Sequence, residues 1–370
     1  MPKMTRSRVL DLEKRAHTEG TPVIDGDSAT FVWRGRQPVS VAGDFQDWSG
    51  APVALKQVAP GLWAHTLKLP RDTYVEYALL DAQGRRVRDV LNPRLVPNGL
   101  GDSNHFFFMP EAEPTPLARP RRGVPRGTVS RHLLETKEFC VGRQRVVHLY
   151  APPTSEPCPL VVVFDGPDYL RRAKLTTLVD NLIAQGRIRP IALALVANGG
   201  AARTVEYACS EATLFFVLRE LLPFAHEELR LVDETRHPGA HAVLGASLGG
   251  LNSLYVGLRA PTVFGHVLSQ SGAFSVLNHD LVVFDLARQT PARPLQVWMD
   301  CGHFEALTEG NERMLPLLQA SGHRAEYREY HGGHNYPVWR DNVWRGLEWL
   351  FPARRGTGET GRVVKRGGKR

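Results

Sequence analysis

Gly245-Ala246-Ser247-Leu248-Gly249-Gly250 joins an apolar run ending at Leu244 to a helix-like segment beginning near Leu251. A serine on so sharp a strand-to-helix turn must adopt a strained backbone, and small residues two before and two after it let strand and helix approach closely. Gly245 and Gly249 hold those two positions. The helix start aims backbone N–H groups at the reacting centre, so the Leu248 N–H can serve as half of an oxyanion hole. An ordinary glycine-rich turn has the same composition, and the surrounding pattern has to decide between the two.

That pattern alternates strand and helix from about residue 131. Strands read at 144–150, 159–164, 190–197, 241–246, 264–270, 294–300 and 324–330, and helices at 174–185, 211–228, 249–259, 309–320 and 337–351. Continuous apolar strands such as Pro159 to Phe164, set between amphipathic helices, imply a mostly parallel sheet covered on both faces. Ser247 then follows a central strand, at the carboxyl edge where open α/β sheets place their sites. In that context it reads as a nucleophile.

With 370 residues and 42% hydrophobic content, the chain can bury a large core and divides into more than one unit. Residues 20–111 alternate in short segments punctuated by turn residues, as in a small β-sandwich, with an irregular loop and a final apolar strand over 89–110. A leader, 1–19, precedes it. A Pro- and Arg-rich linker, 112–130, joins it to a catalytic domain over 131–353. Residues 354–370 carry seven Lys or Arg against one Glu, so most of the formal charge of +8 sits in a Gly-rich tail that reads as disordered. The charge is therefore not a nucleic-acid footprint. No apolar run is long enough for a membrane helix, and the first residues lack the apolar core of a secretory signal. Cys140, Cys158, Cys209 and Cys301 have no paired or metal-ligand spacing, so the expectation is a cytoplasmic protein with reduced thiols and no metal or other cofactor.

A serine hydroxyl needs a base within hydrogen-bond reach, and in this architecture the chain order is Ser, acid, His. His334, in Gly332-Gly333-His334-Asn335 just beyond the last strand, fits the base, with His331 as its rival. The acid should follow the strand 294–300, where both Asp300 and Glu305 stand. The second oxyanion donor should follow the strand 159–164, where Asp165-Gly166 makes a tight turn and Pro167 has no N–H to offer.

The run V-L-G-A-S-L-G-G-L-N-S-L-Y-V-G-L-R-A-P-T-V-F-G-H-V-L-S-Q-S-G (243–272) resembles the enterochelin esterases, within the esterase D-like α/β-hydrolases. Phe164-Asp165-Gly166, Arg203-Thr204-Val205-Glu206 and the G-G-H-N pattern ending at Trp339-Arg340 extend the likeness, as do L-N-P (91–93) and G-L-G-D-S (99–103). V-A-G-D-F-Q-D-W (41–48) resembles the early-set, immunoglobulin-like sandwich related to glycogen-binding modules. The resemblance implies Ser247 and His334 as catalytic pair and places Glu305, not Asp300, at the acid position. It also implies substrate-binding roles for Asp165, Arg203, Glu206 and Trp339. The substrate it implies is a small ester, in particular a ferric siderophore lactone. Pro167-Asp168-Tyr169 and Asn335 depart from the family pattern, which bears on the catecholate part of the substrate and not on ester hydrolysis. Two other readings stay open: a carbohydrate-ester or small-ester hydrolase whose sandwich holds a glycan through Trp48 or Trp63, and a non-catalytic binding protein with a hydrolase shell.

Overall fold

A computed structural model describes residues 5–136, 139–277 and 279–353. Eight strands form the larger sheet, in the order Thr128–Glu135, Gln144–Ala151, Ala192–Val196, Leu160–Val163, His241–Ala246, Phe264–Gln270, Gln296–Gly302 and Arg324–Tyr330. The first two pairings are antiparallel and the remaining five parallel. The strand His241–Ala246, which leads into Ser247, is buried along its whole length. Val243 points into one apolar layer with Phe216, Leu251 and Leu254; Ala242, Leu244 and Ala246 point into another with Leu178, Trp339 and Leu347. Both faces are thus covered, which is why the central strands read as unbroken apolar runs rather than alternating ones.

Each strand and helix expected after residue 140 appears with ends shifted by at most two residues, although the segment 211–228 is interrupted by a π turn at Val217–Leu221. Three elements differ from the sequence reading. The leader is largely a helix, Arg6–Glu19, whose Val9, Leu12 and Ala16 pack on Val23, Val32 and Leu62; their spacing puts them on one helical face. The stretch assigned to a linker is fastened to the large sheet's helices: Leu117 is buried, its carbonyl accepts from Asn181, and the Thr115 N–H donates to Asp341. Its end, from Thr128, already belongs to the edge strand Thr128–Glu135, in which only His132 and Leu134 are half-buried, so the apolar signal that marks the inner strands is missing. The basic tail, 354–370, lies outside the described residues.

Residues 23–108 form the expected sandwich. One sheet runs Val23–Asp25, Ser28–Arg34, Leu62–Lys68, Lys56–Ala59; the other runs Val53–Ala54, Ser40–Gly43, Tyr74–Leu80, Ser103–Phe108, Leu95–Pro97, with the short strand Arg86–Val87 beside Tyr74–Leu80. Phe31, Tyr77 and Phe107 fill the space between them, with Phe31 and Tyr77 edge to face at 4.9 Å. The strand Tyr74–Leu80 is buried on both faces except at its end, although only one face meets the sandwich core. Its outer face lies toward the loop that follows Arg324–Tyr330, and a cleft there is shared by Tyr74 and Phe108 with Tyr330 and Val338. The sandwich is therefore seated against the carboxyl end of the large sheet.

Candidate active site

Ser247 has φ 60° and ψ −123°, a conformation that costs a non-glycine residue roughly 1–3 kcal/mol and persists only where its surroundings enforce it. Here they do. The Ser247 N–H donates to the Gln270 carbonyl at 2.9 Å, and the Ser247 carbonyl accepts from Ala273 and Leu251. A Cβ on Gly245 would lie 2.4 Å from the Gly249 carbonyl oxygen, so strand and helix meet at a distance that only glycine permits. The helix Leu248–Arg259 begins directly after the serine, and its first N–H groups have no partner within the helix.

The histidine side of the site hangs from the next strands. Glu305, in the loop after Gln296–Gly302, is buried and accepts three hydrogen bonds: from His334 Nδ1 at 2.6 Å, the Ser271 hydroxyl at 2.7 Å and the Gly302 N–H at 2.8 Å. A carboxylate beside Nδ1 fixes that nitrogen as the protonated one, which leaves Nε2 with the lone pair a base requires. The indole of Trp339 stands edge-on to the imidazole at 4.9 Å and donates to the same Ser271 hydroxyl at 2.9 Å. Because Ser271 follows Gln270, whose carbonyl holds the Ser247 N–H, one lattice of contacts ties Ser247, Glu305 and His334 to the same end of the sheet. Asp300 is elsewhere. It accepts from Trp298 Nε1 at 2.9 Å and Gln270 Nε2 at 3.2 Å, and burial pushes its carboxyl up to about 7. His331 is occupied as well, its Nδ1 lying 2.7 Å from Asp72 of the sandwich.

Asp165-Gly166 is not merely a turn: Gly166 begins a short helix, Gly166–Arg171, with Asp165 at φ 54°. A Cβ on Gly166 would fall 2.2 Å from the Leu195 carbonyl carbon, so the loop is pressed against the neighbouring strand. The Asp165 N–H is spent on the buried Tyr207 hydroxyl, whereas the Gly166 N–H belongs to the unpaired first turn of that helix. The Asp165 carboxylate is buried and accepts from Arg203 at 2.9 and 2.6 Å and from Asn198 at 2.5 Å.

Two of the residues expected to contact substrate are buried. Glu206 is buried in an ion pair with Arg145 and accepts from the Val141 N–H, so its charge is satisfied inside the protein rather than at an entrance. Trp339 is likewise buried, packed on His334. Trp48 and Trp63 are half-buried with both indole N–H groups engaged, Trp48 to Asp44 and Trp63 to the Gly35 carbonyl, and Trp63 packs on the sandwich core.

Sequence reading missed the residues that couple the sandwich to the site. Asp44 is buried and accepts from Trp48, the Glu76 N–H and Asn335 Nδ2, at 2.8, 2.7 and 3.0 Å. Burial, reinforced by the nearby Glu76 carboxyl, pushes the Asp44 carboxyl well above its usual range. Asp47 accepts from the Ala306 N–H at 3.1 Å. Phe304 packs on the sandwich core. The G-D-F-Q-D-W run carried the signal, though no rule of spacing links it to residues nearly 300 positions away.

Among the described residues, His226, Glu234 and His241 form the one group close enough to hold a metal ion, at the opposite end of the His241–Ala246 strand from Ser247. His241 Nδ1 accepts from the Leu160 N–H, so its Nε2 carries the proton toward Glu234 and has no lone pair to give a metal. A cleft of about 830 Å³ lined by Cys158, Ile188, His266 and Arg293 also lies at that far edge.

The fold and the site define an α/β-hydrolase that acts on ester bonds, preceded by an early-set type of sandwich. The chain belongs to the Esterase family, whose sequence model matches residues 140–350. It is 28% identical to an iron(III) enterobactin esterase of Dickeya dadantii, covering 90% of each chain. It is 25% identical to an iron(III) salmochelin esterase of Escherichia coli, covering 92% of this chain and 93% of that one. In fold it matches the enterobactin esterase of Shigella flexneri solved in the presence of enterobactin, at TM-score 0.73 and 23% identity, over 87% of this chain and 92% of that one. A ferulic acid esterase structure matches at TM-score 0.52 and 17% identity over 61% of this chain. No helix among the described residues is long and apolar enough to cross a membrane.

Proposed function

We propose that the chain is a serine esterase that opens the ester bonds of a ferric catecholate trilactone. The observation that carries the catalytic part is the 2.6 Å contact between Glu305 and His334 Nδ1, in the contact lattice that includes the strained Ser247. Ser247 Oγ attacks the ester carbonyl carbon while His334 Nε2 takes its proton, and the Leu248 and Gly166 N–H groups receive the oxyanion. Collapse of the tetrahedral intermediate breaks the ester C–O bond, and His334 returns the proton to the leaving alkoxide. Water repeats the sequence on the acyl-enzyme and frees Ser247. Glu305 holds the imidazole in the competent tautomer and offsets its positive charge. Arg203 fixes Asp165, and through it the Gly166 loop.

The substrate assignment is supported by extent: relatives named for enterobactin and salmochelin resemble this chain over its sandwich as well as its hydrolase domain. We place the reaction in the cytoplasm, consistent with four free cysteines. The test is a comparison of kcat/KM for ferric catecholate trilactone, feruloylated sugar and acetylated sugar. The trilactone should be preferred, and a tenfold or greater preference for either sugar ester overturns the assignment.

A further inference from the structure

The turn Asp44–Gln46 and the residue after it, Asp47, project from the sandwich into the two loops that carry His334 and Glu305. Around His334, both chain neighbours meet Asp44. Asn335 donates its amide to Asp44 Oδ2 at 3.0 Å, and a Cβ on Gly333 would fall 2.4 Å from Asp44 Cγ. Around Glu305, both chain neighbours meet the sandwich too: the Ala306 N–H donates to Asp47 Oδ2 at 3.1 Å, and Phe304 packs on its core. The turn itself is anchored. Phe45 packs on the same core, Asp44 accepts from the Glu76 N–H and Trp48, and the Asp47 N–H returns to the Asp44 carbonyl at 2.8 Å.

We propose that Asp44 and Asp47 are positioning residues, a two-carboxylate clamp by which the sandwich sets the separation of His334 and Glu305. The proposal rests on the reading of those two residues as base and acid. Neither aspartate touches the reacting atoms. Their effect comes through backbone: Asn335 also caps the helix Tyr336–Leu350 by accepting from the Val338 N–H, so the loop is held between that helix and Asp44. Displacing such a group by about 1 Å can cost on the order of 10²-fold in rate.

The experiment measures kcat and KM of the full-length protein on a p-nitrophenyl ester too small to reach the sandwich, with thermal melting recorded for each variant. Asp44→Ala removes the acceptor. Asp44→Asn can present its carbonyl oxygen to Asn335 and Glu76 but turns its NH₂ on the Trp48 Nε1–H, so it should fall between Asp44→Ala and the parent. Asn335→Ser keeps a capping oxygen but drops the donor to Asp44. Asp47→Gly tolerates the φ of 54° without an acceptor, whereas Asp47→Asn tolerates it and keeps one. We expect Asp44→Ala, Asn335→Ser and Asp47→Gly each to lower kcat by about 10 to 100-fold with KM within about threefold. Asp47→Asn should recover most of the loss seen in Asp47→Gly, and Asp44→Ala combined with Asn335→Ser should cost no more than the worse single change. If Asp44→Ala fails to fold, the Asn335→Ser and Asp47→Gly arms decide. A folded Asn335→Ser or Asp47→Gly protein with kcat within threefold of the parent overturns the proposal. So does equal loss in Asp47→Asn and Asp47→Gly, which would mark a merely structural role. Activity surviving in His334→Ala overturns instead the reading of the base beneath it.

Discussion

Replacing Glu305 by glutamine removes one charge and almost no volume, and the three hydrogen bonds to its carboxylate set the consequence. Gln offers one oxygen where three donors converge. If that oxygen faces Ser271 and Gly302, the amide NH₂ faces His334 Nδ1. The imidazole must then carry its proton on Nε2, the nitrogen that has to accept from Ser247. If the oxygen instead faces Nδ1, the NH₂ opposes the Gly302 N–H, a buried donor that cannot turn away, although the Ser271 hydroxyl can rotate to accept. An unpaired buried N–H costs about 1–3 kcal/mol, so the competent arrangement is disfavoured by roughly 5 to 150-fold. Loss of the negative charge weakens the hold on the imidazolium, because charge-assisted hydrogen bonds are about twice as strong as neutral ones. Together these predict a fall in kcat of about 10² to 10³-fold with KM nearly unchanged. The assay is steady-state hydrolysis of an aryl ester beside Asp300→Asn, which should stay within about threefold because Asp300 does not touch the histidine. If Asp300→Asn is crippling while Glu305→Gln is within threefold of the parent, Asp300 orients the base and the geometric argument fails.

Asp300 should also show itself in stability. Its carboxyl is raised by burial to about 7 in the fold, against about 3.9 when unfolded. The folded state therefore binds the proton more tightly, and stability is lost as pH rises between those values and is not regained above them. The melting temperature of Asp300→Asn relative to the parent should rise between pH 5 and pH 8, and a constant difference would refute the assignment. Glu206→Gln strands Arg145 in a buried site, so we expect a loss of about 3–5 kcal/mol in denaturant unfolding with KM unaffected; a raised KM with unchanged stability would put Glu206 back at the substrate. Gly245→Ala drives a Cβ into the Gly249 carbonyl, and Ser247 labelling by a fluorophosphonate should slow by more than about tenfold; labelling at the parental rate would mean the elbow tolerates the methyl group.

Much of the catalytic half was legible because its signals are local. The Ser247 elbow declares itself through Gly245 and Gly249, since close approach of a strand and the helix that follows it is a matter of neighbouring residues. Apolar runs such as Leu160–Val163 mark strands covered on both faces. His334 was legible for a related reason, as a histidine on a glycine turn just beyond the last strand. The edge strand Thr128–Glu135 was not, because its apolar Val129 and Leu133 are exposed while only His132 and Leu134 are half-buried, which leaves no apolar period to read. The helix Arg6–Glu19 was overlooked for want of a strong apolar face, with only Val9, Leu12 and Ala16 buried.

The sequence by itself determined the inner strands and longer helices of the hydrolase domain, the elbow, the histidine turn beyond the last strand and the presence of a sandwich. Those follow from backbone sterics and from hydrophobic periods a few residues long. Tertiary structure alone decided which carboxylate meets His334, since Asp300 and Glu305 are five residues apart and only the folded loop turns one toward the imidazole and the other into the core. It also decided that Glu206 is spent on Arg145, and that Asp44 and Asp47 reach across from the sandwich to the loops of His334 and Glu305. Such contacts join residues up to 291 positions apart, and no local periodicity records them because their partners are chosen by how two separate cores pack together.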